Sequence, residues 1–132
     1  MRVSIISPED QIYQSSDAIE VYIPTLDGII GIFKDHTNLV SLLGIGSVRI
    51  KTKDNKDFES ILVGNGIVQI EDNNITILAE NADLPANIIK EEIERAIKVA
   101  SERLASETNE HELIMLEKQL KYQKFRQDFI NI

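Results

Sequence analysis

Apolar and polar positions follow two different periods along this chain. From Met1 to about Ala82 the pattern is that of short strands separated by turn chemistry. Ile19-Glu20-Val21-Tyr22-Ile23 alternates, and the strand is expected to stop at Pro24 and the Asp27-Gly28 pair. Ser47-Val48-Arg49-Ile50-Lys51-Thr52 puts Val48 and Ile50 on one side and ends in the polar run Lys53–Asp57. Ile67-Val68-Gln69-Ile70 and Asn74-Ile75-Thr76-Ile77-Leu78 flank Asp72-Asn73, a good hairpin turn. Asn65-Gly66 is a further turn or bulge signal, because both residues tolerate positive φ. Many short, β-branched strands at this spacing predict an antiparallel sandwich or a flattened barrel.

After Asp83-Leu84-Pro85 the period lengthens. Ile89, Ile93, Ala96, Ile97, Ala100 and Leu104 recur at helical spacing, with Glu91, Glu94, Lys98 and Glu102 on other faces. Pro85 suits a helix start, and Asn87 is the expected N-cap. Ser106-Glu107-Thr108-Asn109 breaks the helix, and Asn109 with Glu112 offers a capping-box-like start to a second one. That second helix carries Leu113, Leu116, Leu120, Phe125 and Phe129. The short polar connection predicts an antiparallel helical hairpin. The fold class is therefore α+β, mainly β: an antiparallel β-sandwich over residues 1–83, then a two-helix hairpin over 84–132.

Composition narrows the function. With 132 residues, the chain fits one ordinary domain, or a small one with an appendage. Its 42% hydrophobic and 27% charged residues are a globular balance. A net charge of −8 argues against nonspecific binding to nucleic acid or anionic lipid. Without cysteine there are no disulfides or thiolate metal sites. The N-terminus reads as neither a signal nor a transit peptide. No stretch approaches the roughly 20 apolar residues that cross a bilayer, so membrane association is expected only through a partner.

Chemistry is sparse. His36 and His111 lack companions at ligand spacing, and no nucleophile elbow, Walker-type loop or dinucleotide fingerprint is present. Gly44-Ile45-Gly46 and Gly64-Asn65-Gly66 read as tight turns between strands, and a solvated helix face explains Glu91-Glu92. The second helix begins with Glu110, Glu112 and Glu117 and continues with Lys118, Lys121, Lys124 and Arg126. Acid first and base last suits the helix macrodipole. No catalytic residue and no metal ligand is expected.

The segment Gly28-Ile29-Ile30-Gly31-Ile32-Phe33-Lys34-Asp35-His36, followed by Leu39 and Gly44-Ile45-Gly46-Ser47-Val48-Arg49-Ile50, resembles the signature of the ATP synthase epsilon subunit family. That signature is roughly G-x-x-G-I-x-P-G-H-x-P-L and then a Gly-x-x-Arg-Ile strand. Val3–Tyr13, Asn65–Ile70 and Asn74–Ala82 resemble further strands of the family in the same order. Departures are specific: Lys34-Asp35 stands where the family has Pro-Gly, Asn38 replaces the second proline, and Ile29 sits at an often acidic position. Asn65 replaces the first glycine of a Gly-Gly pair. Loss of proline's fixed φ predicts a looser turn before His36 unless other contacts hold it.

The resemblance implies a non-catalytic rotor subunit, peripheral on the cytoplasmic side of the cell membrane, that grips the gamma subunit and sits on the c-ring. Gly28, Ile29, Ile30, Gly31 and His36 would face the ring. The hairpin would extend to the alpha and beta subunits and inhibit hydrolysis, with Lys118, Lys121, Lys124 and Arg126 meeting the catalytic head. The family's nucleotide motif I/L-D-x-x-R-A is matched by Arg95 and Ala96, while Glu92 replaces the Asp and Glu91 the aliphatic residue. Regulatory ATP binding is the corresponding expectation, with the extra carboxylate adverse to it. The competing reading is a free-standing sandwich that binds a small ligand or nucleotide under a helical lid.

Overall fold

The structure, a computed structural model, describes residues Met1–Asn131; the last residue of the expected hairpin, Ile132, lies outside the described residues. It divides into two compact units, Met1–Pro85 and a second that begins at Ala86.

The first unit contains β1 (Arg2–Ile6), β2 (Gln11–Ser15), β3 (Ala18–Thr25), β4 (Gly28–Ile32), β5 (Leu39–Leu43), β6 (Gly46–Thr52), β7 (Glu59–Glu71) and β8 (Asn74–Asp83). One layer runs β2-β1-β8-β7-β5, and the other runs β7-β6-β3-β4. Strand β7 serves both, pairing with β6 through Glu59–Val63 and with β5 through Gly66–Ile70. All pairs are antiparallel except β1 with β8, which run parallel. Alternate residues of each layer point inward. Val3, Ile5, Val21, Ile23, Ile32, Val48, Ile50, Ile75 and Ile77 form the buried core with their neighbours.

Three local expectations needed correction. Pro24 does not end its strand: it lies inside β3, opposite Ile29 of β4. A proline is tolerated there because position 24 exchanges no hydrogen bonds with β4, and on the other side the pairing of β3 with β6 ends at Tyr22. The Gly64-Asn65-Gly66 segment is not a turn between strands. It lies within β7, where the buried positions switch from Ile61 and Val63 to Val68 and Ile70. Asn65 (φ 59°) and Gly66 (φ 143°) supply the left-handed backbone that turns the ribbon over. A Cβ on Gly66 would lie 1.9 Å from the Leu78 carbonyl oxygen. Asp72 and Asn73, both at positive φ, do form the expected hairpin turn.

The second unit opens with a 3₁₀ turn over Pro85–Asn87, then α1 (Lys90–Ser106) and α2 (Glu110–Ile130). Here lies the third correction. Asn87 does not cap α1, because the tighter turn begun by Pro85 ends on it; Ile89 occupies the cap position without a side-chain bond. At α2 half of the capping box forms: Asn109 Oδ1 accepts from the Glu112 amide at 3.1 Å. The Asn109 amide instead donates to Glu107 Oε1 at 3.0 Å, and Glu112 pairs with Arg103 at 4.0 Å. Ile93 and Ala100 on α1 and Leu116 and Tyr122 on α2 are buried.

Candidate functional site

Four doubled apolar residues break the alternation of the sandwich. In Ile5-Ile6, Leu42-Leu43, Ile67-Val68 and Ile77-Leu78 one member is buried in the core, which turns the other outward. The register aligns the outward members: Ile6 pairs with Leu78, Leu78 with Ile67, and Ile67 with Leu42. A continuous apolar row therefore crosses β1, β8, β7 and β5. Its members are 36%, 50%, 45% and 57% exposed in that order. Leu26 extends it, since its amide donates to the Leu42 carbonyl at 3.2 Å. Beside the row lies a groove of about 400 Å³ lined by Leu26, Asp27, Val40, Ser41, Leu42 and Ile67. None of these residues was expected from sequence to form a contact surface; the doublets were the signal that could have found them.

The residues expected to face the c-ring are split by the fold. Gly28, Ile29, Ile30 and Gly31 lie along β4, with Ile30 turned to the core and Ile29 the most exposed large apolar residue described. Gly31 lies under Tyr22, whose Cε1 would be 3.1 Å from a Cβ there. His36 is half-buried in the loop beyond the other end of β4, its Nδ1 2.7 Å from the Thr37 carbonyl.

That loop is held by side chains. Asp35 stands at φ 65°, the conformation glycine would favour. Its amide donates to Asn73 Oδ1 at 2.6 Å, and Asn73 Nδ2 returns a bond to Asp35 Oδ1 at 3.1 Å. Asn38 Oδ1 accepts from the Asp72 amide at 3.1 Å. Lys34-Asp35 and Asn38 thus replace the rigidity of two prolines with a clasp onto the β7–β8 turn.

On the outer face of the second layer Tyr22 meets Phe33 edge-on at 6.4 Å and Phe58 at 5.9 Å. The Arg49 guanidinium lies 4.4 Å from the Phe58 ring centre. The Tyr22 hydroxyl donates to Glu20, and this bond to the neutral phenol, ahead of desolvation and the Glu20 charge, raises its pKa. Tyr13 is raised too, chiefly by burial.

In the hairpin, Lys118, Lys121 and Lys124 are exposed at three-residue spacing on one flank of α2. Arg126 differs: it is half-buried, donates to Gln123 Oε1 at 2.7 Å and lies 5.8 Å from the Tyr122 ring. Glu92 and Arg95 are exposed near the start of α1, and Ala96 is half-buried. Counting back from the short 107–109 turn, antiparallel helices set Arg95 level with Lys121 and Lys124. Glu91 and Glu92 share that end, so the charge there is mixed.

A rigid sandwich with an apolar row on one face, joined to a charged helical hairpin, defines a protein that works through surfaces its partners cover. Residues 1–85 match the family described as ATP synthase, Delta/Epsilon chain, beta-sandwich domain. The chain is 37% identical over 107 residues to the ATP synthase epsilon chain of Shouchella clausii, covering 81% of this chain and 78% of the relative. It is also 37% identical over 109 residues to that of Alkalihalophilus pseudofirmus, covering 83% and 77%. The chain belongs to the ATP synthase epsilon family and is a non-catalytic member of it.

The fold recurs in solved assemblies. One chain of the Euglena gracilis mitochondrial ATP synthase (OSCP/F1/c-ring) superposes with a TM-score of 0.75 at 18% identity, covering 97% of this chain and 79% of that one. One from the Tetrahymena thermophila mitochondrial central stalk and c-ring gives 0.54 at 16% identity, covering 66% and 68%. The family match and the two epsilon-chain relatives do not favour the free-standing ligand-binding sandwich.

Proposed function

We propose that the chain is the central-stalk epsilon subunit of a rotary ATP synthase, held to the gamma subunit by the Ile6-Leu78-Ile67-Leu42 row. The row carries this reading because a contiguous exposed apolar stripe across four strands marks a surface that a partner covers. Fully burying each of these side chains contributes roughly 1.5–3 kcal/mol, so the row can supply most of a specific contact. Ile29 on β4 and the clasped His36 loop are the surfaces offered to the c-ring. Among the described residues no helix is long and apolar enough to cross a membrane. The place proposed for the chain is peripheral, on the cytoplasmic side, held there through its partners. The hairpin is the regulatory arm, its lysine flank meeting acidic surface of the alpha and beta subunits when it extends.

Reconstitution with purified gamma and the catalytic head tests both assignments. Changing Leu42 and Ile67 together to Thr should weaken gamma binding about 100-fold, from roughly 2–3 kcal/mol of lost burial, with melting unchanged. Undiminished binding would remove the row from the interface. Changing Lys121, Lys124 and Arg126 to Gln keeps helix propensity and should raise ATP hydrolysis, less so at high salt. Equal rates at low salt, with gamma bound, would remove the regulatory role.

A further inference from the structure

The hydrogen-bonded order of the described strands ends at β2 and at β4, and these two ends differ. Strand β2 ends one layer with Gln11, Gln14 and Ser15, and the Gln11 and Gln14 side chains bond each other at 2.9 Å. The register of β2 against β1 shifts between Ile5 and Ile6, and a bulge of this kind blunts an edge against further pairing. Strand β4 ends the other layer with Gly28-Ile29-Ile30-Gly31-Ile32, which has no charge, no proline and no shift of register against β3. Nothing in the side chains of β4 discourages an added strand.

Pro24 fixes which backbone groups of β4 are left over. Lacking an N–H, it cannot belong to a hydrogen-bonded pair, so Pro24 and Ile29 form a non-hydrogen-bonded one. By alternation Ile23–Ile30 and Val21–Ile32 exchange hydrogen bonds, and Tyr22–Gly31 do not. The N–H and C=O groups of Ile29 and Gly31 therefore point away from β3, to the side where no described strand pairs. Ile29 is 75% exposed, and Gly31 offers no side chain to obstruct an approach.

We infer that the free edge of β4 takes up an extended segment of another protein as an added strand, bonded through the main chain of Ile29 and Gly31. This deepens, and rests on, the assignment of β4 as a partner-facing strand. The occupant is a different, basic protein rather than a second copy, since a net charge of −8 opposes self-pairing and favours a cationic partner. Its segment is uncharged and β-branched at the centre, to match Ile29. Recognition of this kind takes affinity from main-chain bonds and tolerates varied side chains.

The test uses the full chain assembled with gamma and the c-ring, comparing Ile29→Pro with Ile29→Ala. Proline removes the outward N–H and is compatible with an edge position; alanine removes only side-chain contact. Strand addition predicts at least tenfold weaker assembly for Ile29→Pro than for Ile29→Ala. Equal losses would overturn the added strand while leaving β4 in contact with a partner. No loss in either would overturn both the strand and the assignment of β4. Should Ile29→Pro fail to fold, amide exchange in the native protein decides. The Ile29 and Gly31 amides should slow at least 100-fold on assembly while those of Ile30 and Ile32 stay protected throughout; unchanged exchange at Ile29 and Gly31 would overturn the inference.

Discussion

The sandwich and the hairpin hold themselves together by different means. In the sandwich, inward residues of two layers meet across one closed core, and the backbone is pinned by ladders that converge on β7. Among the described residues of the hairpin only Ile93, Ala100, Leu116 and Tyr122 are buried, and Ile114, Met115 and Val99 stay exposed. A pair of helices with so little core gains most of its stability from packing against something else. The contrast suits the roles proposed for the two units. A rigid unit can carry a permanent grip on a turning shaft, while a weakly committed one can exchange partners and so regulate.

The contrast breaks most readily at Gly66. Alanine there forces a Cβ to 1.9 Å from a backbone oxygen at a φ of 143°, so β7 and β8 must separate. The expected destabilisation exceeds about 4 kcal/mol, among the largest single-residue effects. Denaturant melts of the full chain would measure it. A loss below about 1 kcal/mol would mean that the two layers do not depend on this kink.

The clasp comes next in size. Asn73→Ala removes both bonds to Asp35 and should cost about 1–2 kcal/mol, typical of paired hydrogen bonds at a strained turn. The loss should appear locally, as faster amide exchange across residues 33–38, while the hairpin is unaffected. Unchanged exchange would show that the loop before His36 is held by other means.

The smallest effect separates one outer face from the core. The folded pKa of Tyr22 lies above the ordinary value of about 10, so its bond to Glu20 contributes stability below pH ~10 that is lost as pH rises through the raised value. Tyr22→Phe should flatten the alkaline limb of the stability curve, leaving the part due to Tyr13, which shifts in the same direction. An identical alkaline limb in the variant would remove the Glu20 bond from the account.

Much of this architecture was legible from residues alone. The β7–β8 hairpin follows from Asp72-Asn73 between alternating runs, and the start of α2 from Asn109. What escaped was whatever depends on pairing rather than period. The parallel partnership of β1 with β8 leaves no local mark. Pro24 reads as a stop until its register is known, because its missing N–H matters only if a neighbour needs it. Gly64-Asn65-Gly66 carries the same signal whether a chain turns back or merely turns over. The apolar row escaped for a related reason: each doublet is locally ambiguous, and only the register aligns four of them on one face. Of the candidate site residues, Gly28, Ile29 and the lysine flank are exposed, Ile30 and Gly31 are half-buried, and Arg126 is engaged on its own helix.

The division of labour is tested most directly by the affinity of residues 1–85 for the gamma subunit, measured calorimetrically beside the full chain. If the sandwich carries the grip, the shortened protein should melt cooperatively and bind within about fivefold of the full chain, a difference of less than about 1 kcal/mol. A folded 1–85 whose affinity falls more than 100-fold would place the grip in the hairpin and contradict the account.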